Sequence, residues 1–347
     1  MRKNILIILV IVFIFMMGYI GVFPFTSDYK KPYKNSVASL EMIKLGNLEQ
    51  WVLIRGRDKS NPVLLWLHGG PGDPLMPFAH YIDKKLEKEF VVVHWDQRGA
   101  GKTNNFGGTI ENISFDQMKK DASQLIHHIS NRFKKRKIFL IGHSWGSYLG
   151  LHLIKNYPEK FHAYIGVGQV VDNYRSQKIS YDWLLQNIYK KNISKFANKL
   201  KQIGDPPYLY QDNYNEFLDL VDESGGLYSG SKLRLYFIAT RASEYNIIDY
   251  IKWLKGRNHG SKKLWKEIWG SQFNFEETLN YFDVPVYFIN GANDYYTPLS
   301  LVKEYFETVE APDKEIYIFE EAAHLPFISE SNKFSELIVN IKGKIIN

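Results

Sequence analysis

Short runs of consecutive apolar residues alternate with segments of helical spacing along most of this chain. Val63–Leu67 and Val91–Trp95 are apolar runs that each end in a polar, glycine-rich turn, and Trp51–Arg55 is a strand-like run ahead of them. Ile138–Ile141 and Tyr164–Val167 repeat the pattern, as do Val284–Asn290 and Glu315–Phe319 near the C-terminus. Phe115–Phe133 places Met118, Leu125, Ile126 and Ile129 on one side of a predicted helix. Tyr148–Lys155, Leu299–Val309 and Ser331–Ile346 read as further helices. Continuous apolar strands alternating with helices predict an α/β fold whose parallel sheet is covered on both faces.

From about Asp172 to Tyr281 the pattern changes. Aromatic residues and lysines dominate, strands are hard to find, and the segment reads as a helical insertion. The predicted organisation is a core formed by residues 37–171 and 282–347, with a helical cap over 172–281 between its two parts. The chain shows no internal repeat and no low-complexity tract.

The N-terminus reads differently again. After Arg2, Lys3 and Asn4 comes an uncharged run, Ile5–Phe23, 19 residues long. As a helix it would span about 29 Å, close to the thickness of a bilayer's hydrocarbon core. The run ends in Gly-Val-Phe-Pro-Phe with no small-residue cleavage site, so an uncleaved single-pass membrane anchor over residues 1–25 is the first reading and a cleaved signal peptide the second. Residues 26–36 read as a polar stalk. Arg2 and Lys3 argue for the N-terminus inside, whereas Lys30, Lys31 and Lys34 pull the other way; the expected place of the catalytic domain is the extracytoplasmic side.

Composition narrows the chemistry. The 347 residues are 45% hydrophobic, 23% charged and 15% aromatic, a globular balance. Zero cysteines exclude disulfides, thiolate nucleophiles and zinc fingers. The net charge of +7 raises nucleic acid or an anionic membrane as a partner. The densest basic stretch, Lys190 to Lys201, reads as one solvated helix face, so nucleic acid is not an expected partner.

Candidate chemistry falls at strand ends. Gly142-His143-Ser144-Trp145-Gly146 follows the buried run Ile138–Ile141 and opens a helix, the context that a G-x-S-x-G nucleophile elbow requires. A serine hydroxyl needs a base, and the base needs an orienting carboxylate. With such an elbow the chain order is serine, acid, histidine. Asp294 lies just past the run Val284–Asn290, and His324 just past Glu315–Phe319. The candidate triad is therefore Ser144, Asp294 and His324, with Glu320 or Glu321 as alternative acids. In His68-Gly69-Gly70-Pro71-Gly72, a glycine turn can aim a backbone N–H at a developing oxyanion. Gly70 N–H and Trp145 N–H are the candidate oxyanion hole. Gly99-Ala100-Gly101-Lys102-Thr103 lacks the first glycine of a phosphate-binding loop, because Asp96 stands there, so no nucleotide is expected. No metal spacing occurs, and no cofactor is expected.

Three motifs together, His68–Gly72, Asp96-Gln97-Arg98-Gly99 with Gly101 after it, and Gly142–Ser147, resemble the proline iminopeptidase family of α/β-hydrolases, serine peptidase family S33. The resemblance covers roughly residues 37 to 343. It implies an eight-stranded core, a helical cap inserted after the sixth strand, and hydrolysis through an acyl-enzyme on Ser144, with Asp294 as acid and His324 as base. It also implies a mainly structural role for the turn Asp96–Gly101. Two departures stand out. His143 occupies a position where the family usually has glycine, and Tyr181-Asp182-Trp183 stands where a paired-tryptophan and glutamate motif is expected.

An aminopeptidase must hold a free ammonium, which needs a carboxylate in a partly dry pocket. Glu244 is the candidate, ahead of Glu216 and Glu223. The expected function is a membrane-anchored serine hydrolase, an aminopeptidase acting on short peptides. An esterase or amidase on a small acyl substrate is the alternative, and a non-catalytic binding protein of the same fold is the third reading.

Overall fold

The structure, a computed structural model, describes residues 33–104, 112–265 and 267–346. The expected anchor, with its run Ile5–Phe23, lies outside the described residues, as does most of the stalk. Among the described residues no helix is long and apolar enough to cross a membrane. The end of the stalk belongs to the domain: Asn35 Nδ2 donates to Asp58, Lys59 N–H donates to Asn35 O at 2.9 Å, and the Arg57 guanidinium lies over the Tyr33 ring.

Eight strands form one sheet: β1 (Val37–Leu45), β2 (Leu48–Gly56), β3 (Val63–Leu67), β4 (Val91–Trp95), β5 (Ile138–His143), β6 (Phe161–Val167), β7 (Val286–Gly291) and β8 (Lys314–Phe319). Their order across the sheet is β1-β2-β4-β3-β5-β6-β7-β8. β2 runs antiparallel to β1 and β4, and every other neighbouring pair is parallel. The parallel strands β3, β4, β5 and β7 are buried throughout, which is why they read as unbroken apolar runs.

The first two long helices are α1 (Phe115–Phe133) and α2 (Trp145–Asn156). α1 starts where Ser114 Oγ accepts from Gln117 N–H at 3.2 Å and stops at Lys134, whose φ is 54°. Its buried stripe Met118, Ala122, Leu125, Ile129 and Phe133 packs on one sheet face with Leu65, Val93 and Leu140. Side chains such as Leu140 are wholly buried, and truncating one of them to alanine costs about 2–5 kcal/mol. Leu64, Val92, Phe139 and Ile165 point to the other face, against the C-terminal helix.

Between β6 and β7 the chain forms helices α3 (Asn173–Lys191), α4 (Ser194–Ile203), α5 (Gln211–Glu223), α6 (Lys232–Ala239) and α7 (Ile247–Trp265). Asp172 caps α3, its carboxylate accepting from Tyr174 and Arg175 N–H. The lysines from Lys190 to Lys201 do not form one helix face, because the chain breaks at Asn192 (φ 51°): Lys190 and Lys191 end α3, and Lys195, Lys199 and Lys201 ride on α4. Two more helices, α8 (Leu299–Thr308) and α9 (Ser331–Ile346), complete the layers. β1 is the strand that no apolar run announced; only three of its nine residues are buried.

Candidate active site

β5 ends at His143 and α2 starts at Trp145, so Ser144 alone makes the turn between them. Its φ of 52° and ψ of −118° fall outside the usual regions for a side-chain-bearing residue, at a cost of about 1–3 kcal/mol. The turn is fastened by Ser144 N–H to Val167 O at 3.0 Å and by Ser147 Oγ to Ser144 O at 2.6 Å. A Cβ on Gly146 would lie 2.1 Å from Leu67 O, so the glycine there is a space requirement of the elbow. Ser144 is thereby held at the N-terminus of α2, where the peptide dipoles favour negative charge.

Asp294 and His324, from loops after β7 and β8, meet directly. His324 Nδ1 donates to Asp294 Oδ2 at 2.8 Å. Thr297 Oγ1 donates to the same oxygen at 2.8 Å, and the N–H groups of Tyr296 and Thr297 hold Asp294 Oδ1, each at 2.9 Å. Both residues are almost wholly buried. The carboxylate accepts only, so His324 carries its proton on Nδ1 and leaves Nε2 as the basic nitrogen. Glu320 and Glu321, the alternative acids, are exposed. Among the described residues Ser144 Oγ makes no hydrogen bond to His324; such contacts are often long before substrate arrives.

His143 braces His324. Its Nε2 lies 3.1 Å from the His324 carbonyl oxygen, and its ring stands 4.7 Å from that of His324 and 4.9 Å, edge-on, from Phe327. A carbonyl accepts only, so Nε2 carries the proton. Burial, reinforced by His324, pushes the His143 pKa well below 6.5 and keeps the ring neutral. From the insertion, Leu227 O accepts from His324 N–H at 3.0 Å. Tyr296 stacks on the His324 ring at 5.1 Å and donates its hydroxyl to Leu218 O.

The glycine loop packs on the elbow: a Cβ on Gly69 would lie 3.3 Å from Ser144 Cβ. Among the described residues neither Gly70 N–H nor Trp145 N–H makes a hydrogen bond to the protein. The loop is clamped by Gln97, whose N–H donates to His68 Nε2 at 3.1 Å and whose Oε1 accepts from Trp145 Nε1 at 2.9 Å. Burial pushes the His68 pKa down to about 4, so the ring is neutral; Nδ1 donates to Gly69 O, leaving Nε2 to accept. One residue, through its backbone N–H and its side-chain oxygen, thus ties both candidate oxyanion segments together. Nothing in the sequence marked Gln97 beyond its place in the Asp96–Gly101 turn, because its partners lie 29 and 48 positions away.

The same turn holds the insertion. Lys102 Nζ pairs with Asp249 Oδ2 at 2.6 Å and donates to Glu244 O at 3.0 Å. Tyr245 OH and Lys102 N–H both donate to Asp96 Oδ2. Burial raises the Asp96 pKa to about 7. Glu244 is buried beside this network, its carbonyl accepting from Lys102; Glu216 and Glu223 are not buried. A surface cleft of about 720 Å³ between β1 and α1 contains none of these residues.

An eight-stranded, mostly parallel sheet bearing a serine on a strand–turn–helix elbow defines a serine hydrolase of the α/β-hydrolase fold. The chain belongs to the serine aminopeptidase family S33, whose model matches residues 58–332. It is 32% identical over 310 residues to a probable aminopeptidase, YbaC, of Bacillus subtilis (strain 168), covering 88% of this chain and 97% of that protein. A proline iminopeptidase of Lactobacillus delbrueckii subsp. lactis is 22% identical over 311 residues, covering 85% of this chain and 95% of its own length. Among solved structures, a proline iminopeptidase-related protein from Thermus thermophilus superposes with a TM-score of 0.63 at 17% identity, covering 89% of this chain and 99% of that one.

Proposed function

We propose that this protein is an aminopeptidase that removes N-terminal residues from short peptides through a Ser144–His324–Asp294 triad. The observation that carries the reading is the 2.8 Å contact between His324 Nδ1 and Asp294 Oδ2, which fixes the tautomer a general base needs. In this mechanism His324 Nε2 takes the Ser144 proton as the hydroxyl attacks the scissile carbonyl. Gly70 and Trp145 N–H groups hold the oxyanion, each such donor being worth about 3–4 kcal/mol in related sites. His324 then returns the proton to the leaving amine, and water repeats the steps to release the acyl group. The family and the curated relatives named above support the aminopeptidase class, and Glu244 is the carboxylate proposed for the substrate ammonium. The run Ile5–Phe23 supports anchorage in a membrane, with the catalytic domain on the extracytoplasmic side.

A second reading, an esterase or amidase on a small acyl substrate, is favoured by the solvent access of Glu216 and Glu223, which leaves them in water rather than in a dry ammonium pocket. Hydrolysis of a prolyl chromogenic amide, with and without an N-acetyl group and with Ser144→Ala as the blank, separates the two. Cleavage of the free-amine compound alone supports the aminopeptidase. Turnover of a simple acyl ester with neither amide cleaved overturns it.

A further inference from the structure

α6 and α7 are apolar on both sides. Inward, α7 sets Trp253 against the core with its Nε1 donating to Asp73 Oδ1 at 3.1 Å, and Gly256 lies so close to Gly99 that a Cβ would come 2.5 Å from its carbonyl oxygen. Outward, the same helix exposes Ile248, Ile251 and Leu254, the last by 68%. α6 buries Ile238 and Ala239 and exposes Leu233, Tyr236 and Phe237, by 78%, 66% and 50%. Seven of the fifteen large hydrophobic side chains exposed among the described residues stand on these two helices. A helix in water ordinarily turns a polar face outward, and a concentration of this kind marks a surface that meets something apolar.

Charge selects the occupant. From Lys232 to Lys263 the sequence has eight lysines and arginines against two acids, Glu244 and Asp249. Both acids are turned inward and buried, Asp249 in its ion pair with Lys102. At one edge Asp222 of α5 pairs with Lys232 at 2.7 Å. What these helices offer to solvent is therefore apolar side chains among cations. A second copy docked through the same face would bring like charges together, because a two-fold contact pairs a patch with itself. An anionic lipid surface complements both features at once.

We propose that the outer faces of α6 and α7 dock on an anionic bilayer surface. β1 runs parallel to β4, so the described chain enters at the end of the sheet away from Ser144, whereas α7 packs beside the glycine loop. The docking does not depend on which substrate the site takes.

The chain has no cysteine, so a single introduced one reports its own surroundings. Full-length Phe237→Cys and Leu254→Cys, each carrying an environment-sensitive fluorophore, are mixed with phosphatidylglycerol vesicles and with phosphatidylcholine vesicles. Tyr281→Cys, exposed but away from these helices, is the reference. The expected result is a blue shift and lipid-quencher access at 237 and 254 on phosphatidylglycerol, weaker at high salt, with no shift at 281. Vesicle-bound protein whose labels at 237 and 254 keep their aqueous emission overturns the proposal. So does an equal shift on phosphatidylcholine, or a shift without lipid that grows with protein concentration, which would identify a second copy as the occupant. Circular dichroism of each labelled chain verifies that the fold is intact, and failure of peptide hydrolysis would leave these readouts unchanged.

Discussion

His143 Nε2 donates to the main-chain carbonyl of His324 at 3.1 Å, and with Leu227 O accepting from His324 N–H both backbone groups of His324 are pinned. The residue before Ser144 therefore positions His324 through its backbone, while Asp294 positions it through its ring. His143→Ala removes the carbonyl's donor and the face on which the imidazole rests. The expected outcome is a kcat lowered about tenfold with KM little changed, the signature of lost transition-state geometry. A purely structural role would appear instead as a lower melting temperature with kcat preserved in the folded fraction.

Acid should weaken the fold. His68, His80 and His143 are buried with lowered pKa values, about 4 for the first two, mainly through burial. Unfolded histidines take up protons near pH 6.5, where these three do not, so their contribution to stability is lost as the pH falls below 6.5. Asp96 acts in the opposite direction: its pKa is raised to about 7, so the native state keeps a proton that the unfolded chain releases, and stability falls as the pH rises from about 4 to 7. With His152, also held down to about 4 by burial, these histidines outweigh one carboxyl, so net stability falls as the pH drops from 6.5 toward 4. Thermal melts at pH 7.5 and 5.5 read this directly, and an unchanged or higher melting temperature at pH 5.5 contradicts it.

Gln97→Leu should strike activity harder than stability. The change leaves Trp145 Nε1 without its acceptor, which costs about 1–3 kcal/mol, and unties the elbow from the turn while the backbone bond from residue 97 to His68 remains. The expected kcat/KM falls at least tenfold while urea unfolding shifts by no more than that cost. Equal losses in both would make Gln97 a packing residue only.

Removing one partner of the Lys102–Asp249 pair strands a buried charge. Lys102→Ala is expected to cost about 3–5 kcal/mol, and Lys102→Met with Asp249→Leu clearly less. Limited proteolysis should open the insertion near α7 in the single variant first. Equal protection in both would show that the pair does not hold α7 to the core.

The sheet was legible in the sequence where burial is two-sided. Val63–Leu67 and Val91–Trp95 are strands with those limits because every position faces apolar neighbours. β1 escaped because only three of its nine residues are buried and no apolar run forms. Ser144, Asp294 and His324 were readable as candidates because each follows a strand in a fixed order. The roles of Gln97, His143 and Tyr296 were not, since each acts through a main-chain or ring atom supplied by distant chain. The break at Asn192 was hidden by lysines that suit a helix on either side of it.

The most direct test of the proposed site is covalent labelling with a serine-directed fluorophosphonate, read by intact mass and peptide mapping. One adduct per chain on Ser144 is expected, absent in Ser144→Ala and formed at least about 10³-fold more slowly in His324→Ala. An adduct on another residue, or equal rates in the native chain and His324→Ala, would contradict a nucleophile at Ser144 activated by His324.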